Sequence, residues 1–253
     1  MDKAIIIDLD GTLVNNWIPL SGSKELIDYF NSNKIPFYIV TNRVSKTIEQ
    51  IGENLKFLNF SISNNQIINP IVALDKYIKK HNIKTYFFVG PDYQENKLIK
   101  SDYFDKNPEF VILCDFENIN CDFLLFNKIY HYIQNGAKII ATSYSNYYYS
   151  DNKYKMDTGI FVKMYEILTE NKAIIIGKPS TEILKIAVNE LKKDPKDIII
   201  IGDDGKSDIE GGQQLGMKTI LVKTGIYNEG DEDKFKPNLV INSLKEIEKI
   251  IKL

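Results

Sequence analysis

Short runs of consecutive apolar residues alternate along this chain with segments whose apolar residues recur at helical spacing. Runs at residues 5–7, 36–40, 198–201, 219–222 and 239–241 each predict one buried strand. Helical spacing predicts helices over residues 23–33, 45–57, 70–80, 179–191 and 209–215, and a closing helix from Leu244. A strand, a helix and a strand in succession are typical of a parallel sheet with right-handed crossovers.

A second block of the same kind interrupts the first. It contains predicted strands over residues 84–90, 110–114 and 138–142, helices over 123–134 and 161–169, and a polar loop over 142–159. The first pattern resumes with a strand over 173–176. We therefore predict an α/β protein with two domains. Residues 1–79 and 173–253 form a Rossmann-like, doubly wound parallel sheet, and residues 80–172 form an inserted α/β domain.

Polar side chains follow four of the strands assigned to the first domain. They are Asp8 and Asp10, Thr41 and Asn42, Lys178, and Asp203 with Asp208. The carboxyl ends of parallel strands meet at one edge, where open α/β sheets bind their ligands. Carboxylates there suit a hard cation such as Mg²⁺, and the hydroxyl, amide and ammonium groups suit phosphoryl oxygens. The set predicts Mg²⁺-assisted phosphoryl transfer with an aspartate nucleophile.

Charge and composition narrow the range of partners. The chain has 32 Lys and Arg against 34 Asp and Glu, so its formal net charge of −2 gives no general attraction to nucleic acid or anionic membranes. No apolar run approaches the roughly 20 residues of a membrane span, and the N-terminus does not read as a signal peptide. Cys114 and Cys121 are expected to be reduced thiols. We expect a cytoplasmic protein without nucleic-acid or membrane partners.

The four polar sets resemble the four ordered motifs of the haloacid dehalogenase-like (HAD) phosphatase superfamily. The matching segments are Asp8-Leu9-Asp10-Gly11-Thr12, Thr41-Asn42, Gly177-Lys178-Pro179, and Gly202-Asp203-Asp204 with Asp208. The insert resembles the α/β cap of class IIA, and residues 202–225 are similar to the C-terminal signature of that branch. The branch includes p-nitrophenyl, phosphoglycolate, pyridoxal phosphate, nucleotide and sugar phosphatases. The resemblance covers essentially the whole chain.

The resemblance implies a role for each matched residue. Asp8 would attack phosphorus to form an aspartyl-phosphate, and Asp10 would protonate the leaving oxygen and then activate water. Thr41 and Asn42 would bind phosphoryl oxygens, and Lys178 would offset negative charge. The Mg²⁺ ligands would come from Asp8, Asp10 (through its carbonyl) and Asp203.

Three residues keep more than one interpretation. Asp208 either completes the metal site or orients Lys178, and the part played by Asp204 is open as well. Arg43 stands where many class IIA members have a second Asn. It either binds a phosphate or carboxylate of the substrate or points to solvent.

The expected substrate is a small phosphorylated metabolite, selected by the cap loop over residues 142–159. Two alternatives stay open: a phosphotransferase or mutase acting on sugar phosphates, and a non-catalytic protein that binds phosphometabolites on the same fold. A carbon–halogen hydrolase is disfavoured, because that chemistry needs neither Asp10 nor a metal. A homodimer is also left open.

Overall fold

The computed structural model describes residues 3–92, 107–117, 119–150, 153–246 and 249–250. The chain divides into two compact units. The first comprises Met1–Thr41, Lys46–Asn69 and Lys178–Leu253, and the second comprises Asn42–Ser45 and Pro70–Gly177. The predicted boundaries at residues 79/80 and 172/173 differ from this division, because residues 70–79 and 173–177 group with the second unit.

The strands are numbered in chain order over both units. They are β1 (Ala4–Ile7), β2 (Val14–Asn15), β3 (Ile18–Pro19), β4 (Phe37–Val40), β5 (Ile67–Ile68), β6 (Tyr86–Val89), β7 (Phe110–Leu113), β8 (Lys138–Ala141), β9 (Tyr147–Ser150), β10 (Lys153–Met156), β11 (Ile174–Ile175), β12 (Ile198–Gly202), β13 (Lys218–Val222) and β14 (Leu239–Ile241).

The described helices are numbered in the same way. They are α1 (Ser23–Ser32), α2 (Ile48–Phe57), α3 (Pro70–Lys80), α4 (Phe123–Gln134), α5 (Thr158–Thr169), α6 (Glu182–Leu191), α7 (Gly211–Gln214) and α8 (Asp231–Phe235), with 3₁₀ turns at Asn64–Gln66 and Pro195–Asp197 and a π-helical segment at Gly205–Glu210.

The first unit is built on a six-stranded sheet in the order β14-β13-β12-β1-β4-β5, and every neighbouring pair is parallel. Numbered by appearance within this sheet, the order is 3-2-1-4-5-6, the doubly wound arrangement of Rossmann-like proteins. The strands predicted at residues 5–7, 36–40, 198–201, 219–222 and 239–241 are confirmed. All residues of β1 and β12 are buried, as expected where both faces of a sheet are covered.

Local sequence determines where several helices begin. Leu26, Ile27 and Phe30 form the buried face of α1, as predicted. The side chain of Thr47 accepts a hydrogen bond from the Gln50 amide, and this cap starts α2. Asp204 caps Gly205–Glu210 in the same manner, so helical structure begins there and not at residue 209 as predicted.

The second unit contains its own parallel sheet, in the order β11-β8-β7-β6. Its apolar core combines strand residues such as Val111 and Leu113 with helix residues such as Ile129 and Val162. The assignment of residues 173–176 to the first sheet is wrong: Ile174 pairs with Ile140 of β8. A short apolar run indicates a strand but does not specify which of two parallel sheets it joins.

The polar loop predicted over residues 142–159 contains the antiparallel pair β9–β10. The rings of Tyr147 and Tyr154 meet edge to face with centroids 5.4 Å apart, and both side chains are exposed. The serines, asparagines and aspartates around these strands predict a loop, and that signal outweighed the short alternation of lysine with apolar residues in Lys153–Met156. Helix α5 starts at Thr158, earlier than predicted, because Asp157 caps its first amide.

The closing helix predicted from Leu244 lies partly outside the described residues. Residues 244–245 form a turn, and residues 249–250 are helical. Cys114 and Cys121 are both free thiols. Within the described ranges, no helix combines the length and apolar character that a membrane span requires.

Candidate active site

The first carboxylate of the site lies directly after the central strand of the first sheet. The amide of Asp8 continues the strand pairing by donating to the carbonyl of Ile201, 2.9 Å away. Its side chain is buried. The chain turns away at Gly11, whose φ of +91° favours glycine. Asp8 is therefore held at the carboxyl edge of the sheet, as the sequence predicts.

Lys178 joins two buried carboxylates of the first unit. Its Nζ lies 2.5 Å from Oδ1 of Asp8 and 2.7 Å from Oδ1 of Asp208. The lysine is only 3% exposed. Burial lowers the pKa of Lys178, but Asp208 and Asp8 outweigh that effect and raise it above its usual value. Lys178 is thus a permanently charged group between two acids.

Asp203, which follows β12, is held by the segment after β1 and the segment after β13. Its Oδ1 accepts a hydrogen bond from Thr12 Oγ1 at 2.7 Å, and its Oδ2 accepts one from the Ile226 amide at 2.9 Å. Glycines permit this close approach, because a Cβ at Gly11 would lie 2.2 Å from Asp203 Oδ2 and one at Gly225 would lie 1.9 Å from it. These contacts orient the Asp203 carboxylate.

Asp204 and Asp208 have different surroundings. Oδ1 of Asp204 accepts hydrogen bonds from the amides of Lys206 and Ser207, so this side chain caps a helical turn. Asp208 is buried against Gly202, where a Cβ would come within 2.1 Å of its Oδ2. That Oδ2 accepts the Asp204 amide at 3.3 Å. Asp208 therefore faces Lys178 and the strand end.

Three carboxylates converge at this point. Asp8, Asp203 and Asp208 each offer an oxygen atom within 4.8 Å of the others. Burial raises the pKa of Asp8 well above its usual value, although Lys178 opposes the rise. Burial and Asp208 raise the pKa of Asp203 to about 7. Burial also raises the pKa of Asp208, again against Lys178.

This donor set fits a divalent metal. If all three carboxylates are ionised, the single Lys178 ammonium does not balance their charge, and the buried site is negative. Carboxylates this close together need a bound cation or shared protons. Oxygen ligands of this type suit Mg²⁺, Mn²⁺ or Ca²⁺.

Asp10 stands apart from this group. Its Oδ2 accepts a hydrogen bond from Thr41 Oγ1 at 3.1 Å, and its side chain is less buried than that of Asp8. Thr41 directly follows β4 and is buried. This hydrogen bond links the first two sequence motifs.

Asn42 and Arg43 group with the second unit. Within that unit, Asn42 lies beside Gly177, where a Cβ would stand 2.9 Å from its Oδ1. Their predicted contact with a phosphoryl group stays a prediction.

Three residues that hold Asp203 were not assigned from the sequence. Thr12 belongs to the first motif but has no role assigned there, Gly225 is the last residue of the C-terminal signature, and Ile226 follows that signature. The signal for Gly225 was its place after an apolar strand, since a glycine there often marks a close backbone approach. The amide of Ile226 gives no signal, because every residue except proline carries one.

Comparisons with known proteins agree with this arrangement. A profile described as haloacid dehalogenase-like hydrolase matches residues 5–103, and one described as HAD-hydrolase-like matches residues 175–247. Mouse haloacid dehalogenase-like hydrolase domain-containing protein 2 is 28% identical over 239 residues, which cover 93% of this chain and 89% of the mouse protein. Ribonucleotide monophosphatase NagD from Escherichia coli is 26% identical over 252 residues, covering 98% and 99%.

The fold has close counterparts among solved structures. The p-nitrophenyl phosphatase from Archaeoglobus fulgidus superposes with a TM-score of 0.89 at 23% identity, covering 98% of both chains. The two family profiles together match the segments that carry all four motifs, and the relatives align over nearly the whole chain. The chain therefore belongs to the haloacid dehalogenase-like hydrolases, in the class IIA branch of phosphatases with an α/β cap.

Proposed function

We propose that this protein is a Mg²⁺-dependent phosphatase that hydrolyses small phosphate monoesters through an aspartyl-phosphate on Asp8. The observation that carries the proposal is the buried group of Asp8, Asp203 and Asp208 around the Lys178 ammonium. A phosphoryl dianion would be repelled by carboxylates alone. The lysine and a cation make the same place attractive to it.

Asp8 is the proposed nucleophile. One of its oxygens attacks phosphorus and forms a P–O bond, while the bond from phosphorus to the ester oxygen breaks. Lys178, 2.5 Å from Asp8 Oδ1, stabilises the ionised carboxylate before attack and negative charge during it. Because burial raises the pKa of Asp8, this pairing is needed to keep a useful fraction ionised.

Asp10 is the proposed acid and base. In the first step it gives its proton to the leaving oxygen. In the second it takes a proton from a water molecule that attacks phosphorus, which breaks the bond to Asp8 and releases inorganic phosphate. The hydrogen bond from Thr41 holds its carboxyl group in one orientation. Asn42 and Arg43 are proposed to bind phosphoryl or other anionic oxygens of the substrate.

Asp8, Asp203 and the carbonyl of Asp10 are proposed to hold Mg²⁺. When bound, the cation supplies charge neutralisation for the phosphoryl oxygens. Asp208 is proposed chiefly to hold Lys178, because its two oxygens are already engaged by Lys178 and the Asp204 amide. Asp204 serves as a helix cap in this scheme.

The substrate is proposed to be a small metabolite, as the names of the relatives suggest. NagD is named a ribonucleotide monophosphatase, and the archaeal structure is of a p-nitrophenyl phosphatase. These names indicate phosphate monoesters with different leaving groups, so a panel of substrates is the appropriate test.

The test is phosphate release from p-nitrophenyl phosphate, nucleoside monophosphates, sugar phosphates, phosphoglycolate and pyridoxal phosphate. Each substrate is assayed with Mg²⁺, with chelator, and with Asp8→Asn in place of the native protein. We expect turnover that requires the metal and is lost in the variant. Full turnover by Asp8→Asn would refute the mechanism. Binding without turnover on every substrate would favour a non-catalytic role, and transfer to an added sugar would favour a phosphotransferase.

A further inference from the structure

A small hydrogen-bonded cluster joins Glu232 of helix α8 to two residues in the segment after β13. One oxygen of Glu232 accepts a hydrogen bond from Lys223 Nζ, and Oε2 accepts one from the Tyr227 hydroxyl at 2.7 Å. Lys223 Nζ also lies 5.1 Å from the centroid of the Tyr227 ring. We call these three residues the Glu232 clamp. None of these three residues is part of the predicted site or of the Asp8, Asp203 and Asp208 cluster.

The Glu232 clamp lies at the two ends of the turn whose Ile226 amide binds Asp203. Residues 224–227 form this turn, with the Tyr227 amide donating to the Thr224 carbonyl at 3.0 Å. Inside it, the Ile226 amide donates to Asp203 Oδ2. The turn is tied to the segment after β1 as well, since Thr224 Oγ1 donates to the Gly11 carbonyl at 2.7 Å.

The clamp joins the two ends of this turn. Lys223 is anchored to the sheet by its amide, which donates to the Ile241 carbonyl at 2.9 Å. Tyr227 stands at the other end, directly after Ile226. Because Glu232 binds both, it fixes the separation of the turn's ends and therefore the position of the Ile226 amide.

The same helix also touches the segment that carries Asp208. The ring of Phe235 lies against Gly205, the first residue of the π-helical segment, where a Cβ would come within 2.1 Å of it. The side chain of Gln213 donates to the carbonyls of Phe235 and Lys236, at 2.8 and 2.9 Å. Helix α8 therefore contacts the segment after β12, which carries Asp203 and Asp208, and Glu232 on it contacts the segment after β13, which carries the Ile226 amide.

We propose that Glu232, acting through Lys223 and Tyr227, is a positioning residue for the divalent-cation site. It keeps the Ile226 amide in place and so holds the Asp203 carboxylate in its ligating orientation. The inference rests on the proposed function, since it takes Asp203 to be a metal ligand. Hydrogen bonds from Lys223 and Tyr227 lower the pKa of Glu232 to about 2, so the clamp stays charged at neutral pH.

The test measures binding of Mg²⁺ alone to the metal-stripped full chain by calorimetry. The variants are Glu232→Gln and Tyr227→Phe, which remove the charge and the hydroxyl with little change of shape. Loss of a direct hydrogen-bond partner of a metal ligand typically weakens metal binding by about 10-fold or more. Because Glu232 reaches Asp203 only through the turn, we expect the dissociation constant to rise by less than that in Glu232→Gln and by a smaller factor still in Tyr227→Phe. Glu229→Gln is the matched control, because it removes the same charge from an exposed position of the same loop.

Steady-state kinetics with p-nitrophenyl phosphate show whether Glu232 positions the metal ligand or only stabilises the folded protein. We expect the Mg²⁺ concentration for half-maximal rate to rise in parallel with the dissociation constant, while kcat at saturating Mg²⁺ stays near that of the native protein. An unchanged dissociation constant in folded Glu232→Gln and Tyr227→Phe would overturn the inference. If Glu232→Gln does not fold, Tyr227→Phe decides the question. Native protein that binds no Mg²⁺ would overturn the proposed metal site itself.

Discussion

Replacing Lys178 with methionine tests the electrostatic design of the site. The change keeps most of the volume of the side chain and removes its charge, so Asp8 and Asp208 lose the ammonium that now lies 2.5 and 2.7 Å away. Each such charge-assisted hydrogen bond contributes about 1.5–3 kcal/mol. Removing one partner of a buried ion pair typically costs about 3–5 kcal/mol. For the metal-free protein near neutral pH, we expect Lys178→Met to lower the free energy of unfolding by about 3–5 kcal/mol.

The pH dependence of this loss has a definite sign. Burial already raises the pKa of both carboxyl groups, and removal of the lysine raises it further. In acid the carboxyl groups are protonated in the folded protein and no longer need a cation. The cost of Lys178→Met should therefore be smaller near pH 5 than near pH 8, following the proton linkage of buried acids.

Urea unfolding, followed by tryptophan fluorescence, measures the effect. Trp17 is the only tryptophan and packs against the core of the first unit, so its signal reports the unit that contains the site. Lys185→Met is the matched control. Its ammonium lies 2.6 Å from Glu182, but the two side chains are 48% and 29% exposed, and such surface pairs contribute about 0–1 kcal/mol. Equal losses in the two variants would refute the reasoning.

Three further predictions concern the hydrogen bonds and protons of the same site. Thr12→Val removes the donor to Asp203 Oδ1 and should raise the dissociation constant for Mg²⁺ by about 10-fold in calorimetry. Thr41→Val releases Asp10 and should lower kcat in steady-state assays by about 10-fold without changing Mg²⁺ binding. Mg²⁺ should raise the melting temperature more near pH 8 than near pH 5.5, as scanning calorimetry can show. The pKa of Asp203 is about 7 in the metal-free folded protein, against an ordinary value of 3.8. The folded protein therefore becomes less stable as the pH rises between these two values, and bound Mg²⁺ offsets this loss because it binds the ionised carboxylate. Equal shifts at both pH values would contradict this.

The central sheet and its carboxylates were predictable from the sequence because their signals are local. Runs of isoleucine such as Ile198-Ile199-Ile200-Ile201 indicate buried parallel strands, and the aspartates that follow them must lie at one edge. Asp8, Asp203 and Asp208 do converge there. The apolar pattern does not specify the order of the strands within the sheet, because pairing depends on contacts distant in the sequence.

Other features depend on contacts distant in the sequence and left no local signal. The strand Ile174–Ile175 joins the second sheet although its apolar run resembles those of the first. The amide of Ile226 binds a carboxylate 23 positions earlier, and no residue type marks that amide in advance. The paired strands β9 and β10 lie in a segment rich in serine, asparagine and aspartate, and this composition predicts a loop.

The most direct test of the central claim is to trap the phosphoryl group on Asp8. The protein is mixed with p-nitrophenyl phosphate and Mg²⁺, quenched in acid within the first turnover, digested and analysed by mass spectrometry. The account predicts one added phosphoryl group on the peptide that contains Asp8, absent without Mg²⁺ and absent in Asp8→Asn. A phosphoryl group on another residue, or undiminished phosphate release by Asp8→Asn, would contradict it.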